Sequence, residues 1–193
     1  MNAALRVALK WSWGGIVEEL SGNQTIWSNG MPSWNIWSEQ DLSWHLAQRL
    51  VERRPMLPSG RRLRSECVHF EASMGGRDDG SSFNGQRVDL AVLDCGAHSS
   101  DNYEHWRGLL FIEVKIVHRP PHFERVEADA TKLRRYLAKP RIAAAGALLV
   151  VDQRDLSVSE FRAQYRGLVR KPGKPRLAAL VYLQKEKRSL EIF

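Results

Sequence analysis

The sequence predicts an α/β domain, because short apolar runs typical of strands are interspersed with amphipathic helical segments. The most apolar run, residues 144–151, is expected to be a central strand, since a strand covered on both faces has few polar positions. The chain has 193 residues, of which 43% are hydrophobic and 26% charged, as is ordinary for a soluble globular protein. We therefore expect one folded core.

Residues 1–37 form a tryptophan-rich N-terminal extension, which we expect to pack on a core domain of residues 38–193. Its tryptophans, which lie among glycine, serine and asparagine, are Trp11, Trp13, Trp27, Trp34 and Trp37. Such side chains can stack on nucleic-acid bases, but they more often fill a core or an interface. The aliphatic start, residues 3–9, fits either a strand or a short helix. The chain has no apolar stretch of about 18 residues and no secretory signal, so we expect a cytoplasmic protein without a membrane partner.

A helix is predicted from Ser38 to about Arg53. Ser38 with Asp41 three residues later resembles a capping box, and three leucines spaced four residues apart form the apolar stripe. Glu39 lies on that stripe and is expected to point toward the protein body. The alternative for Glu39 is a simple interaction with the positive end of the helix dipole.

Two strands separated by a polar, glycine-rich loop are predicted next. They span residues 66–74 and 87–95, and the loop covers residues 77–86. In the second strand Asp89 lies on the face opposite Val88, because side chains alternate along a strand.

A third strand, residues 109–117, carries an acid and a base in an otherwise apolar run. Glu113 and Lys115 are two residues apart and therefore share one face. Charged groups in a mostly buried strand are costly unless they are paired or bind a metal, so this face indicates a functional site. The alternative is an incidental ion pair on an exposed sheet face.

The later elements complete the alternation of helices and strands. In order, they are a helix at residues 123–139, the apolar strand at 144–151, a helix capped by Ser157 and Glu160, and closing strands at 177–183 and 190–193. On the first of these helices, Asp129 and Lys132 form either part of a site or a surface pair.

The strand carboxylates suggest metal chemistry if the chain brings them together. Asp89 and Glu113 on neighbouring strands, facing the same side, could share a divalent cation, and carboxylate oxygens suit Mg²⁺ or Mn²⁺. Such a cation can orient a scissile phosphate, neutralise developing charge and acidify a water molecule. Lys115 on the same face would act as the base that positions this water.

The positive charge is concentrated in two parts of the chain, residues 49–64 and 162–176. The net charge is +7, the isoelectric point is near 9.7, and no acidic residue lies between Phe161 and Lys185. Basic patches suit a polyphosphate backbone, although a solvated surface is the plain alternative. The expected nucleic-acid contacts are Arg61, Arg62, Lys132, Lys171 and Lys174.

These residues resemble the motifs of the PD-(D/E)xK nuclease superfamily, which includes restriction endonucleases and Holliday-junction resolvases. The resemblance covers residues 38–151 and rests on Asp89 in the first strand motif and on Glu113-Val114-Lys115 in the second. It implies a central mixed β-sheet flanked by helices on both faces, with Asp89 and Glu113 as magnesium ligands and Lys115 assisting the water. Glu39 corresponds to a helical glutamate found in many members.

A further pattern strengthens the resemblance. Asp129, Lys132 and Leu133 match a D-x-x-K-L pattern often seen on the helix after E-x-K. Two features depart from the superfamily pattern: Val88 replaces the proline before the first aspartate, and a long loop separates Asp89 from Glu113.

The sequence therefore predicts a magnesium-dependent deoxyribonuclease, an endonuclease rather than an exonuclease, acting on duplex or branched DNA with RNA also open. A homodimer is possible in principle, because two strand cuts need two sites. The alternatives are a non-catalytic nucleic-acid-binding or assembly protein on the same fold, and a small-molecule enzyme with an enclosed apolar pocket. Neither a phosphate-binding loop nor a Gly-x-Ser-x-Gly motif is present, and the two cysteines are too few for a disulfide framework.

Overall fold

The computed structural model describes residues 1–22, 38–73, 87–94, 106–138, 145–175 and 177–193. In chain order its elements are α1 (Ala3–Gly22), α2 (Glu39–Arg53), β1 (Val68–Ser73), β2 (Arg87–Leu93), β3 (Gly108–Val117), α3 (Phe123–Leu137), β4 (Gly146–Asp152), α4 (Val158–Val169), β5 (Ala178–Leu183) and β6 (Arg188–Ile192). The predicted loop at residues 77–86 lies outside the described residues.

The six strands form one mixed sheet in the order β1-β2-β3-β4-β5-β6. Strands β1, β2 and β3 pair antiparallel, β3, β4 and β5 pair parallel, and β6 returns antiparallel to β5. Every residue of β4 is buried, as its apolar sequence predicts for a central strand. The predicted fold class, α/β with a central mixed sheet flanked by helices, is confirmed.

The helices cover the sheet in two pairs. On one face, α1 and α2 pack against alternate strand residues such as Leu90, Ile112 and Leu149. On the other face, α3 and α4 pack against the intervening residues, including Phe111 and Leu148. Because side chains alternate along a strand, Glu113 and Lys115 share the face of Phe111 and lie on the side of α3.

The segment at residues 3–9, which the sequence left open between strand and helix, belongs to the 20-residue helix α1. Leu5, Leu9, Trp13, Ile16 and Leu20 are buried, with a spacing of three or four residues that places them on one face. Interspersed tryptophan, serine and glycine obscure this spacing in the sequence. Of the other tryptophans, Trp11 is partly exposed beneath the Arg53 guanidinium, 3.3 Å from its ring centroid, and Trp27, Trp34 and Trp37 lie outside the described residues.

Both predicted helix caps are present. The Ser38 hydroxyl accepts a hydrogen bond from the Asp41 N–H at 3.1 Å. Ser38 is therefore the N-cap, and α2 begins at the next residue, Glu39. Ser157 and Glu160 form a reciprocal capping box at the start of α4. The caps fix where each helix begins, and for α2 this places Glu39 in the first turn.

Cys67, just before β1, is fully buried and disulfide-bonded.

Among the described helices, none combines the length and apolarity that a membrane crossing requires.

Candidate active site

The site forms where strands β2 and β3 separate. Their ladder ends at the pair Leu90 and Ile112, one step before Asp89 would lie opposite Glu113. Beyond this point, side-chain carboxylates replace strand carbonyls as acceptors. The Val114 N–H donates to Asp89 Oδ2 at 2.8 Å, and the Ile116 N–H donates to Glu39 Oε1 at 3.1 Å.

Glu39 reaches this gap because it is the first residue of α2, whose apolar face packs on the opposite side of the sheet. Its side chain extends to the edge that β2 leaves free on β3. The expectation that Glu39 points toward the protein body is met, and its acceptor role at Ile116 ties the start of α2 to β3.

Lys115 lies among three carboxylates. Its Nζ is 3.1 Å from Glu39 Oε2, 3.3 Å from Asp129 Oδ2 and 3.8 Å from Asp89 Oδ2. It also donates to the Val114 carbonyl at 3.0 Å. These contacts hold the ammonium group in one place, and its side chain is only 15% exposed.

Glu113 is fully buried and is paired with Lys132 of α3. Lys132 Nζ lies 2.8 Å from Glu113 Oε1, 3.3 Å from Asp129 Oδ1 and 2.8 Å from the Arg87 carbonyl, to which it donates. Asp129 therefore links the two lysines, because one of its oxygens faces Lys115 and the other faces Lys132.

The cluster contains more acidic than basic side chains. Four carboxylates, those of Glu39, Asp89, Glu113 and Asp129, surround two ammonium groups. Burial raises the pKa of Glu113 to about 9, with repulsion from Asp89 and Asp129 adding to the shift and Lys132 opposing it. A buried acid whose pKa is raised this far is typical of functional sites.

The same carboxylates act on the lysines in the opposite sense. Burial alone would lower the pKa of Lys115, but the charges of Asp89, Asp129 and Glu39 outweigh it and raise the pKa. The pKa of Lys132 is also raised, since Glu113 and Asp129 outweigh its desolvation. Both lysines are therefore cationic at neutral pH.

The donor set partly fits a divalent cation. Neither oxygen of Glu113 accepts a hydrogen bond of good geometry from any described residue, and the same holds for Asp129 Oδ2, although all three atoms are buried. Buried carboxylate oxygens without directional partners are suitable ligands for a hard cation. However, no group of three or more His, Cys, Asp or Glu side chains is arranged to hold a metal ion within the described ranges.

The structure brings together all four predicted catalytic residues, Glu39, Asp89, Glu113 and Lys115. It also places Lys132 in the same cluster, as an ion-pair partner of Glu113 rather than as a solvated surface lysine. The bridging position of Asp129 was not predicted as such. The D-x-x-K-L pattern was the sequence signal for it, since residues three apart on a helix face the same way.

The other predicted nucleic-acid contacts lie elsewhere. Arg61 and Arg62 are exposed on the segment after α2, at the end of the helix opposite Glu39, and 15 residues of helix span about 22 Å. Lys171 and Lys174 are exposed just after α4, and Lys171 lines a groove between α3 and α4.

Comparison with known proteins gives no match: no protein-family model, curated protein or solved structure is similar to this chain.

Proposed function

We propose that this protein is a magnesium-dependent nuclease of the PD-(D/E)xK type that hydrolyses phosphodiester bonds in DNA. The observation that carries the proposal is the convergence of Glu39, Asp89, Glu113 and Lys115 from three different elements at one gap in the sheet. A structural ion pair needs only two ionisable side chains, whereas this cluster concentrates six, most of them shielded from solvent. Clusters of this kind are typical of active sites.

Asp89 and Glu113 are the proposed metal ligands. Mg²⁺ commonly binds through one or two carboxylates and keeps several waters, so a group of three protein ligands is not required. The excess negative charge of the cluster matches a divalent cation, and Mn²⁺ would suit the same oxygens. When bound, the cation would supply charge neutralisation at the scissile phosphate.

Lys115 is proposed to hold the attacking water and to stabilise the negative charge that develops on the phosphate. Because neighbouring carboxylates raise its pKa, its ammonium group donates hydrogen bonds rather than accepting a proton. We therefore propose Lys115 as a hydrogen-bond donor to the water and not as the base that the sequence predicted. Glu39 is a positioning residue, since it fixes Lys115 Nζ at 3.1 Å without being a proposed metal ligand.

A phosphodiester substrate suits the wider charge distribution. The chain carries a net charge of +7, while the cluster itself is acidic. A basic surface attracts a polyanion, and an acidic centre within it recruits the cation that the anion needs for reaction. We propose cleavage inside a strand rather than trimming from an end. The proposed substrate is DNA in duplex or branched form, and the proposed location of the protein is the cytoplasm.

The proposal is tested by incubating the protein with single-stranded, duplex, nicked and branched DNA and with RNA, in Mg²⁺, Mn²⁺ or EDTA. We expect metal-dependent cleavage of DNA that is abolished in Asp89→Ala and Lys115→Ala. Asp155→Ala is a matched control, because Asp155 is exposed and, among the described residues, pairs only with Lys185 at the surface. Absence of cleavage on every substrate, or cleavage that persists in Lys115→Ala, contradicts the proposal.

One observation favours a second candidate, a nucleic-acid-binding protein without turnover. The two lysines already neutralise part of the carboxylate charge, so the network is held together without a metal. Calorimetric titration separates the two candidates. Binding of Mg²⁺ that is lost in Asp89→Ala supports the enzyme, and absence of Mg²⁺ and Mn²⁺ binding together with retained DNA binding supports the second candidate.

A further inference from the structure

An open groove of about 940 Å³ runs between helices α3 and α4 on the outer side of the sheet. The polar side chains that line it include more cations than acids. Its cationic lining residues are Lys132, Arg134, Arg135 and Lys171, and Gly167 also lines it. Glu127 is the acidic residue among its lining residues.

Arg134 is the unusual member of this groove. It is only 7% exposed, yet no carboxylate of the described residues forms an ion pair with it, and its Nε has no hydrogen-bond partner there. Its Nη2 donates to the Leu168 carbonyl of α4. A buried cation without a counter-charge is costly, and burial lowers the pKa of Arg134 accordingly.

A second buried arginine in the same protein provides an internal comparison. Arg154 is 6% exposed, and its guanidinium forms a bidentate pair with Asp152, with a further bond to Gln164 at 3.0 Å. At Arg154, burial of the guanidinium is thus compensated by a carboxylate. Arg134 lacks that compensation.

Helix capping accounts for part of the Arg134 environment. Leu168 is in the last turn of α4, and a cation near a helix C-terminus interacts favourably with the helix dipole. The cap occupies one donor of the guanidinium, however, and leaves Nε and most of the charge unmatched. An anion in the groove would supply the missing counter-charge.

We infer that the α3–α4 groove is an anion-binding site that takes a phosphate of a polynucleotide backbone beside Arg134, with Arg135 and Lys171 as further contacts. Lys132 connects this groove to the active site, because it lines the groove and also contacts Glu113 at 2.8 Å. A strand whose scissile phosphate lies at Glu113 and Lys115 would therefore continue along the groove. This inference rests on the proposed function and extends it by assigning where the flanking backbone binds.

Gly167 allows a test that leaves Arg134 and its cap intact. A Cβ added at Gly167 meets no atom of another described element within 4 Å, so a side chain can begin at this position without displacing the wall. Gly167→Glu would place a negative charge in the groove, and Gly167→Ala is the matched control. Both changes replace glycine within α4 by a better helix former, so folding should be preserved.

The measurement is fluorescence anisotropy of labelled 20-nucleotide single-stranded and duplex DNA in EDTA, where cleavage plays no part. We expect Gly167→Glu and Lys171→Ala each to weaken DNA binding about tenfold and Lys171→Ala to reduce the slope of log affinity against log salt by about 1. Gly167→Ala and Arg188→Ala, a substitution at an exposed residue of β6, should leave the affinity within about twofold. Arg134→Gln should weaken binding, with Arg134→Lys restoring part of it.

Competition by inorganic phosphate and by polyphosphate identifies the source of the anion. Displacement of DNA by polyphosphate but not by millimolar inorganic phosphate supports a backbone site, whereas equal displacement by inorganic phosphate overturns the polynucleotide assignment. If Gly167→Glu and Lys171→Ala bind DNA as the wild type does, the groove is not the site and Arg134 serves only as a cap. If the groove variants lose DNA binding but the wild-type protein cleaves no substrate in the earlier assay, the proposed nuclease activity is overturned and the groove assignment stands.

Discussion

At the scale of single residues, Glu113 shows how the site conflicts with stability. Its carboxyl is fully buried beside two other acids, and burial with this repulsion raises its pKa to about 9. A residue chosen for stability alone would be neutral at this position. The proposed role of Glu113 as a metal ligand would account for an acid at a position where it costs stability.

Replacement of this acid should stabilise the protein. Between its ordinary pKa of 4.5 and about 9, the folded state keeps a proton on Glu113 that the unfolded state has lost. The free energy of unfolding therefore falls as the pH rises through that window. We expect Glu113→Gln to flatten this dependence and to raise stability at pH 8 by about 1–2 kcal/mol while abolishing cleavage.

Urea unfolding of the two proteins between pH 5 and pH 9 measures this effect. Glu124→Gln, on the exposed side of α3, is the control for loss of one acidic group. Equal pH profiles for the wild type and Glu113→Gln would show that Glu113 is ionised in the folded state.

The role of Glu39 in holding Lys115 can be tested without removing its hydrogen bond from the Ile116 N–H. Glu39→Gln keeps an oxygen that can accept from the Ile116 N–H but removes the charge that holds Lys115. We expect stability to change by less than about 1 kcal/mol and the cleavage rate to fall by about 10- to 100-fold, because a misplaced donor is costly for catalysis. Rates measured with Mg²⁺ alongside the melting temperature check both expectations. An unchanged rate would assign Glu39 to the helix terminus alone.

At the scale of elements, the sequence predicts most of the fold. The caps at Ser38 and Ser157 and the apolar run of β4 are local signals, and each element they predict is present. Helix α1 was not resolved from the sequence, because its buried positions are interrupted by exposed tryptophan and by glycine.

The site could be predicted in its members but not in its geometry. Asp89, Glu113 and Lys115 follow from strand periodicity, which fixes the face on which a side chain lies. The ending of the β2–β3 ladder is a tertiary feature, and so is the use of carboxylates as acceptors for Val114 and Ile116. No pattern in a single chain indicates where two paired strands separate.

A buried polar network at the end of β4 joins this strand to α4. Asp152 is fully buried, pairs with Arg154 at 2.7 Å, and accepts a hydrogen bond from the Tyr165 hydroxyl at 2.9 Å. We expect Asp152→Asn to destabilise the protein by about 3 kcal/mol, since it leaves a buried guanidinium without its counter-charge. Tyr165→Phe should cost about 1 kcal/mol, because it removes one hydrogen bond.

Denaturant unfolding compares these variants with Asp155→Asn, whose exposed carboxylate pairs with Lys185 and with no other residue in the part of the chain that the structure describes. The control should change the unfolding free energy by less than about 0.5 kcal/mol. A loss of similar size in Asp152→Asn and in the control would show that the network contributes little to the attachment of α4.

At the scale of the whole molecule, an acidic site lies within a basic protein. The chain has a net charge of +7, while the cluster formed by α2, β2, β3 and α3 holds four carboxylates and two lysines. The surrounding positive charge favours an anionic polymer and opposes the approach of a free cation. Metal and nucleic acid should therefore bind cooperatively, since each reduces the unfavourable charge that the other meets.

This charge arrangement predicts how metal affects global stability. A ligand that binds only the folded state at 100 times its dissociation constant adds about 2.7 kcal/mol to the free energy of unfolding. Here Mg²⁺ must compete with the ammonium groups of Lys115 and Lys132 for the same carboxylates, so saturation should require millimolar concentrations. Thermal unfolding should shift upward with Mg²⁺ or Mn²⁺ in the wild type, remain unchanged in Asp89→Ala, and shift at lower metal concentration in Lys132→Met, in which one competitor is removed. A shift of equal size in Asp89→Ala would place the cation away from this site.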